Sequence, residues 1–184
     1  MPRRETNGGS TTPYYACMSH AHEVNAVGAF ALELARRVQE AGESASPHGA
    51  SVPAALTALH GLTGGQSIDA LRRVVGLTHS GTVRLVDKLA AAGLVERRVG
   101  ADGRSVALQL TPEGRRAARR VLTRREAAIE TALASLTPRD RADLARLHER
   151  LLARLTESQE DRRRICRLCD VEACGRDCPA RAER

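Results

Sequence analysis

The chain is poor in aromatic residues and almost without lysine. Two tyrosines (Tyr14, Tyr15), one phenylalanine (Phe30) and no tryptophan serve 184 residues. Stacking of bases on aromatic side chains is the usual route to single-stranded nucleic acid, and it is disfavoured here. A core built from Leu, Val, Ala and Ile also suits packed helices better than a β-sandwich. There is no run of about 18 apolar residues, so no membrane-spanning helix is expected. The opening "MPRRETNGGSTTPYY" carries two arginines but not the apolar stretch that a secretory signal needs, and a cytoplasmic location is expected. Glutathione and thioredoxin oppose structural disulfides there. The sequence has no phosphate-binding glycine loop, nucleotide motif or paired acid and base, so no enzymatic activity is expected.

Positive charge is present in excess. The net charge of +7 and pI near 9.9 favour an anionic partner. Lys88 is the only lysine, and every other fixed cation is an arginine. Genome composition alone can produce that bias, so position says more than the sum. Between Arg72 and Arg104 seven Lys/Arg stand against three acids, Asp87, Glu96 and Asp102. With stacking disfavoured, the anionic partner expected is double-stranded DNA.

Residues 1–13 are polar and rich in Gly, Ser and Thr, the composition of a disordered arm. From Cys17 to about Gln39, Val24, Val27, Phe30, Ala31, Leu34 and Val38 recur at helical spacing and predict a long amphipathic helix. "EAGESASPHG" is read as a breaker-rich loop. "VPAALTALHGL" predicts a second helix with Pro53 in its first turn. Ser67 then caps a short helix with Ile68, Leu71, Val74 and Val75 inward, and Gly76 turns the chain. Thr78 caps the next helix, whose Thr82, Leu85, Val86 and Leu89 share one face, and Gly93 closes it. Two short helices joined by a glycine turn make a helix-turn-helix.

Two strand-like runs follow, Leu94–Val99 and Ser105–Leu110, with "GADG" between them as hairpin chemistry. A hairpin directly after a helix-turn-helix is a wing. Thr111 and Pro112 start a long helix, and Thr137, Pro138 and Asp140 start another, striped by Leu144, Leu147, Leu151, Leu152 and Leu155. A small winged helix cannot hide these stripes, and pairing of two identical chains is the economical solution.

The segment "GLTHSGTVRLVDKLAAAGLVERRVGADGRSVALQLTPEGRR" resembles the winged helix of the MarR family of bacterial transcriptional regulators, most strongly over residues 66–116. The specific signal is "RLVDKL…GLVERR…DGR…LTPEG" in this order and spacing. The flanking helices match in order and length. The resemblance implies a mainly α fold with a winged helix-turn-helix at about 50–111, and dimerisation helices at about 16–40 and 112–159. Together these make a dimer domain over 14–160. It implies a homodimer that binds a pseudo-palindromic duplex site, a repressor by expectation, released by a small ligand or an oxidant. Two other classes compete. One is a metal- or cluster-dependent redox protein, and the other is a winged helix that binds protein instead of DNA.

The helix from Thr78 to Ala92 is the expected recognition helix. His79, Ser80, Gly81, Val83, Arg84, Asp87 and Lys88 fall on its exposed side. Ser80 stands where hydroxyl and backbone N–H groups meet phosphate. Arg84 can address guanine O6 and N7 with two bonds, and Lys88 suits a phosphate. Asp87 reads as a salt-bridge partner. The family has an apolar residue followed by Ser where this chain has Thr82 and Val83, so a thymine methyl is the expected partner of Val83. In the wing, Asp102 and Arg104 match the family's D-x-R. The arginine would enter the minor groove, and the aspartate would hold the turn. The run Arg115–Arg125 is either a solvated helix face or a wider phosphate footprint.

Residues 161–184 form a basic tail holding four of the five cysteines, Cys166, Cys169, Cys174 and Cys178, spaced C-x2-C-x4-C-x3-C. Four thiolates in thirteen residues suffice for one tetrahedral Zn²⁺. The ending "CP" is also found in runs that hold iron–sulfur clusters. A thiol–disulfide sensor and a reduced, ligand-free tail are the remaining readings. Arginines 162, 163, 164, 167 and 176 would stabilise thiolates. Cys17 stands apart and reads as a structural thiol. His20, His22, His48, His60, His79 and His148 show no catalytic or zinc spacing. Metal ligation by His20, His22 or His60 with acids, as in some family members, is the weaker alternative.

Overall fold

Side-chain caps set the helix boundaries through the centre of this chain. In the computed structural model, which describes residues 19–46, 48–61, 67–100, 106–175 and 178–180, the Ser67, Thr78, Thr111 and Thr137 hydroxyls each accept a hydrogen bond from a backbone N–H three residues on. Each cap satisfies a donor that the first helical turn leaves free, a gain of about 1 kcal/mol. Thr137 and Asp140 complete a reciprocal capping box. The elements that follow are α1 (His20–Ala45), α2 (Val52–Gly61), α3 (Ile68–Val75), α4 (His79–Ala91), β1 (Val95–Val99), β2 (Val106–Leu110), α5 (Pro112–Leu133), α6 (Pro138–Leu155), α7 (Gln159–Ile165), a 3₁₀ turn (Cys166–Leu168) and α8 (Val171–Cys174).

The chain divides into two units, residues 1–35 and 36–184. Within the first, the helical stretch 20–35 leaves Val24, Val27, Phe30 and Leu32 exposed. The second contains the winged helix. Leu56, Leu71, Leu89 and Leu108, one each from α2, α3, α4 and β2, are fully buried in a single core. Each contributes roughly 2 kcal/mol of burial. Thr82 is buried in the same core, and its hydroxyl donates to the Thr78 carbonyl at 3.0 Å, so no polar group is stranded. The strands pair antiparallel, with Val95 opposite Leu110 and Val99 opposite Val106. The mainly α architecture with a two-stranded wing is the expected one.

One expectation needs correction. The first helix does not stop near Gln39; it continues to Ala45 through most of the segment expected to be a loop. Gly42 is buried, and a Cβ there would lie 3.1 Å from Pro53 Cβ. That glycine is a packing residue that lets α1 approach α2, and it is not a breaker. Beyond α6, Ser158 caps α7, and the tail packs on α2 and α3. The arm 1–13 and Cys17 lie outside the described residues.

α6 has no buried residue, and its Leu147, Leu151 and Leu155 are 46%, 55% and 68% exposed. No described helix is long and apolar enough to cross a membrane.

One junction fixes the wing. Gly114, in the first turn of α5, is buried so close to the Leu94 carbonyl that any Cβ would overlap the oxygen. The obstacle is backbone and cannot rotate away. Gly114→Ala should therefore destabilise the fold by about 3 kcal/mol or more, read as a lowered urea midpoint.

Candidate nucleic-acid interface

The recognition helix is held from behind and left open in front. Gly76, at φ +71°, turns the chain out of α3, and Thr78 starts α4 by accepting from Gly81 N at 3.1 Å. Thr82, Leu85, Val86 and Leu89 are the buried residues of α4. At the far end Gly93 takes φ +68°, with Leu94 N donating to Leu89 O and Gly93 N to Ala90 O. This paired closure frees the chain to enter the wing directly.

The opposite face presents the residues singled out from the sequence. His79, Ser80, Arg84, Asp87 and Lys88 are exposed, and Gly81 and Val83 are half-exposed. Ser80 Oγ lies 3.3 Å from Thr78 Oγ1 at the N-terminal end of the helix. Arg84 and Lys88 make no ion pair among the described residues. Asp87 does, accepting from Arg97 Nη2 on β1 at 2.6 Å. Asp87 is thus a strut between recognition helix and wing, in the salt-bridge role expected of it. Its strand partner Arg97 was missed, because the pairing depends on where the hairpin folds back. Asp102 and Arg104 lie outside the described residues.

The neighbouring arginines are mostly occupied. Arg72 and Arg73 donate to Asp69, and these bonds hold its carboxyl below the usual range. Arg116 does the same to Glu113. Arg115 donates to the Leu110 carbonyl at 2.7 Å and ties β2 to α5. Within the Arg115–Arg125 run, Arg115, Arg116, Arg120 and Arg125 thus have partners within the chain.

The four tail cysteines are gathered on another side of the unit. All four line one cavity with Thr57, Ala58 and Val74. Cys166 Sγ and Cys178 Sγ are 4.0 Å apart, and Arg125 Nη2 lies 4.0 Å from Cys169 Sγ. Hydrogen bonding from Cys166, with Arg125 and Arg167 adding positive charge, holds the Cys169 thiol well below its ordinary value. Cys166, as the donor, is pushed up. Burial raises Cys174. Arg125, far away in sequence on α5, was not anticipated as a thiolate neighbour. Arg164 is committed to Asp161 instead. No described set of three or more His, Cys, Asp or Glu stands ready at metal-ligand spacing, the histidines included.

Comparisons with known proteins agree with this geometry. Residues 51–105, from the start of α2 to the wing, match the model of the MarR family. A MarR family protein from Bacillus stearothermophilus has a similar structure, with a TM-score of 0.65 at 23% identity over 76% of this chain and 99% of that one. The MarR family protein RV2887 of Mycobacterium tuberculosis is 27% identical, with a TM-score of 0.53 over 71% of this chain and 91% of the other. MepR, a transcription regulator of the Staphylococcus aureus multidrug efflux pump MepA, gives a TM-score of 0.60 at 14% identity, covering 75% and 99%. No curated protein matches the sequence. MarR-family winged-helix regulators are DNA-binding proteins without enzymatic activity. Residues 51–105 thus match the MarR-family model, and the described elements around them form the winged-helix fold of these structures.

Proposed function

We propose that the chain is a homodimeric repressor that reads a pseudo-palindromic duplex, each protomer laying α4 into a major groove. The observation that carries this reading is the pair of free cations on the open face of α4. Arg84 and Lys88 are exposed, one helical turn apart and without ion-pair partners among the described residues, whereas Asp69, Asp87 and Glu113 occupy the arginines around them. A cation held out on a rigid helix and left unneutralised suits a polyanion.

In this reading Arg84 reaches a guanine edge or a phosphate, and Lys88 reaches a phosphate. Ser80 and the amides around Gly81 meet backbone oxygens at the helix N-terminus, beside His79. Val83 contacts a thymine methyl. Asp102 and Arg104 remain the proposed minor-groove contact of the wing, carried over from the family's D-x-R. Two-fold pairing would set the two α4 helices about one DNA turn apart, ~34 Å. The exposed Leu147, Leu151 and Leu155 on α6 supply an apolar stripe for that pairing. Release from DNA would follow a small ligand or a change in thiol state.

Arg84→Ala is expected to weaken binding to a cognate duplex by about 1–3 kcal/mol and to relax sequence preference, measured by fluorescence anisotropy. Lys88→Ala should weaken all duplexes alike and lower the slope of log affinity against log salt by about 1. Wild-type affinity that is indifferent to salt would remove the phosphate reading. By sedimentation velocity the protein should run at twice its 19.8 kDa chain mass, and Leu151→Glu should shift it toward the monomer with helical content retained. A wild-type monomer would refute the paired arrangement.

A further inference from the structure

The tail after α6 is too poor in apolar residues to fold on its own account, yet it is fastened to the winged helix at three separate points. The Thr57 hydroxyl on α2 donates to the Arg167 carbonyl. Val171 of α8 packs where Gly61 ends α2, so closely that a Cβ on Gly61 would lie 2.8 Å from Val171 Cγ2. Arg125 reaches across from α5 to Cys169. Segments of this size with few buried side chains are commonly held by a covalent or metal staple.

Four thiols stand where such a staple would sit. Cys166, Cys169, Cys174 and Cys178 converge on one cavity of about 180 Å³, closed on its far side by Thr57, Ala58 and Val74. Cys178 is buried, and Cys166 and Cys169 are half-buried. The 4.0 Å between Cys166 Sγ and Cys178 Sγ is twice a disulfide bond length of about 2 Å. It is close to the roughly 3.8 Å edge of a tetrahedron with zinc–sulfur bonds of about 2.3 Å. A four-iron cluster, taking one cysteine per iron, spreads its cysteine sulfurs wider. The fourth corner belongs to Cys174, which is exposed at the end of the four-residue α8. The four thiols do not yet stand at full ligand spacing, so a bound ion would draw them closer together. Four thiolates around a divalent ion leave a net charge of −2. Arg125 and the arginines at 162, 163 and 167 that line the cavity are placed to offset it.

We propose that Cys166, Cys169, Cys174 and Cys178 bind one Zn²⁺ in a tetrahedral four-thiolate site that staples residues 159–180 onto α2 and α3, behind the helix-turn-helix. The assignment does not depend on which nucleic acid the protein binds. Elemental analysis of the full chain, purified anaerobically with reductant from zinc-supplemented cells, should find about one zinc per chain in a colourless protein. Replacing zinc with Co²⁺ should give strong near-ultraviolet thiolate-to-cobalt absorption together with the visible bands of a tetrahedral ion. Cys174→Ser combined with Cys178→Ser should lose the metal, and Cys17→Ser should retain it. The cobalt spectrum of the unaltered chain keeps the test valid if the double variant fails to fold. A brown protein with iron and acid-labile sulfide would overturn the proposal. So would a chain that carries no metal, gives no cobalt bands and exposes four freely titrating tail thiols.

Discussion

The winged helix depends on one backbone crossing, where the end of the recognition helix, the start of the wing and the start of α5 meet. Thr111 makes that crossing hold. Its hydroxyl donates to the Gly93 carbonyl at 2.6 Å while accepting from Gly114 N at 3.0 Å, and its own N–H donates to the Leu94 carbonyl at 3.1 Å. Gly114 lies against that same carbonyl without a Cβ to keep it away. One threonine thus serves as helix cap and as tie between α4 and α5, and one glycine allows the approach. The angle at which α4 is offered to solvent, and the root of the wing beside it, both follow from this contact.

Charge is distributed with the same economy. Among the described residues, arginines pair with acids near and far in sequence, donate to backbone carbonyls and face a thiolate, none of which needs nucleic acid. The exposed pairs contribute little stability individually, about 0–1 kcal/mol. Their larger effect is to neutralise the surroundings, so that the field in front of α4 is set by Arg84 and Lys88. The Asp87–Arg97 pair belongs to this scheme, because it links recognition helix and wing as one surface while removing an acid from the face that would meet phosphate.

Much of this was legible in the sequence, for local reasons. A threonine before proline, a glycine after a helical stripe and an alternating run around a glycine turn are decided within a few residues of themselves, and the caps at Thr78, Thr111 and Thr137 appear where the sequence puts them. The buried face of α4 is the predicted one, residue for residue. What the sequence concealed was set by distant partners. Gly42 looks like a breaker until Pro53 and Val121 are seen against it. Gly61 looks like one more glycine in a helical run until Val171 arrives from the tail. Arg125 looks like one more solvated charge until Cys169 stands in front of it. In all three cases the residue type is explained by a segment that folds back from elsewhere, which no local pattern encodes.

The position of the tail gives the cysteines mechanical meaning. α2 carries both the Thr57 hydroxyl that grips the tail and the fully buried Leu56 in the core that backs α4. α3 contacts α7 on one side and α4 on the other. Interiors this closely packed transmit displacement, because neighbouring side chains have no voids to absorb it. A tail locked at α2 and α3 and a tail set loose therefore present α4 from differently supported scaffolds, although none of the four tail cysteines lies on α4. An effect on DNA affinity through this route would arise from the stiffness behind the recognition helix. It would leave the contacts of Arg84 and Lys88 chemically unchanged, so loss of the tail's order should alter the strength of binding more than the sequence preferred.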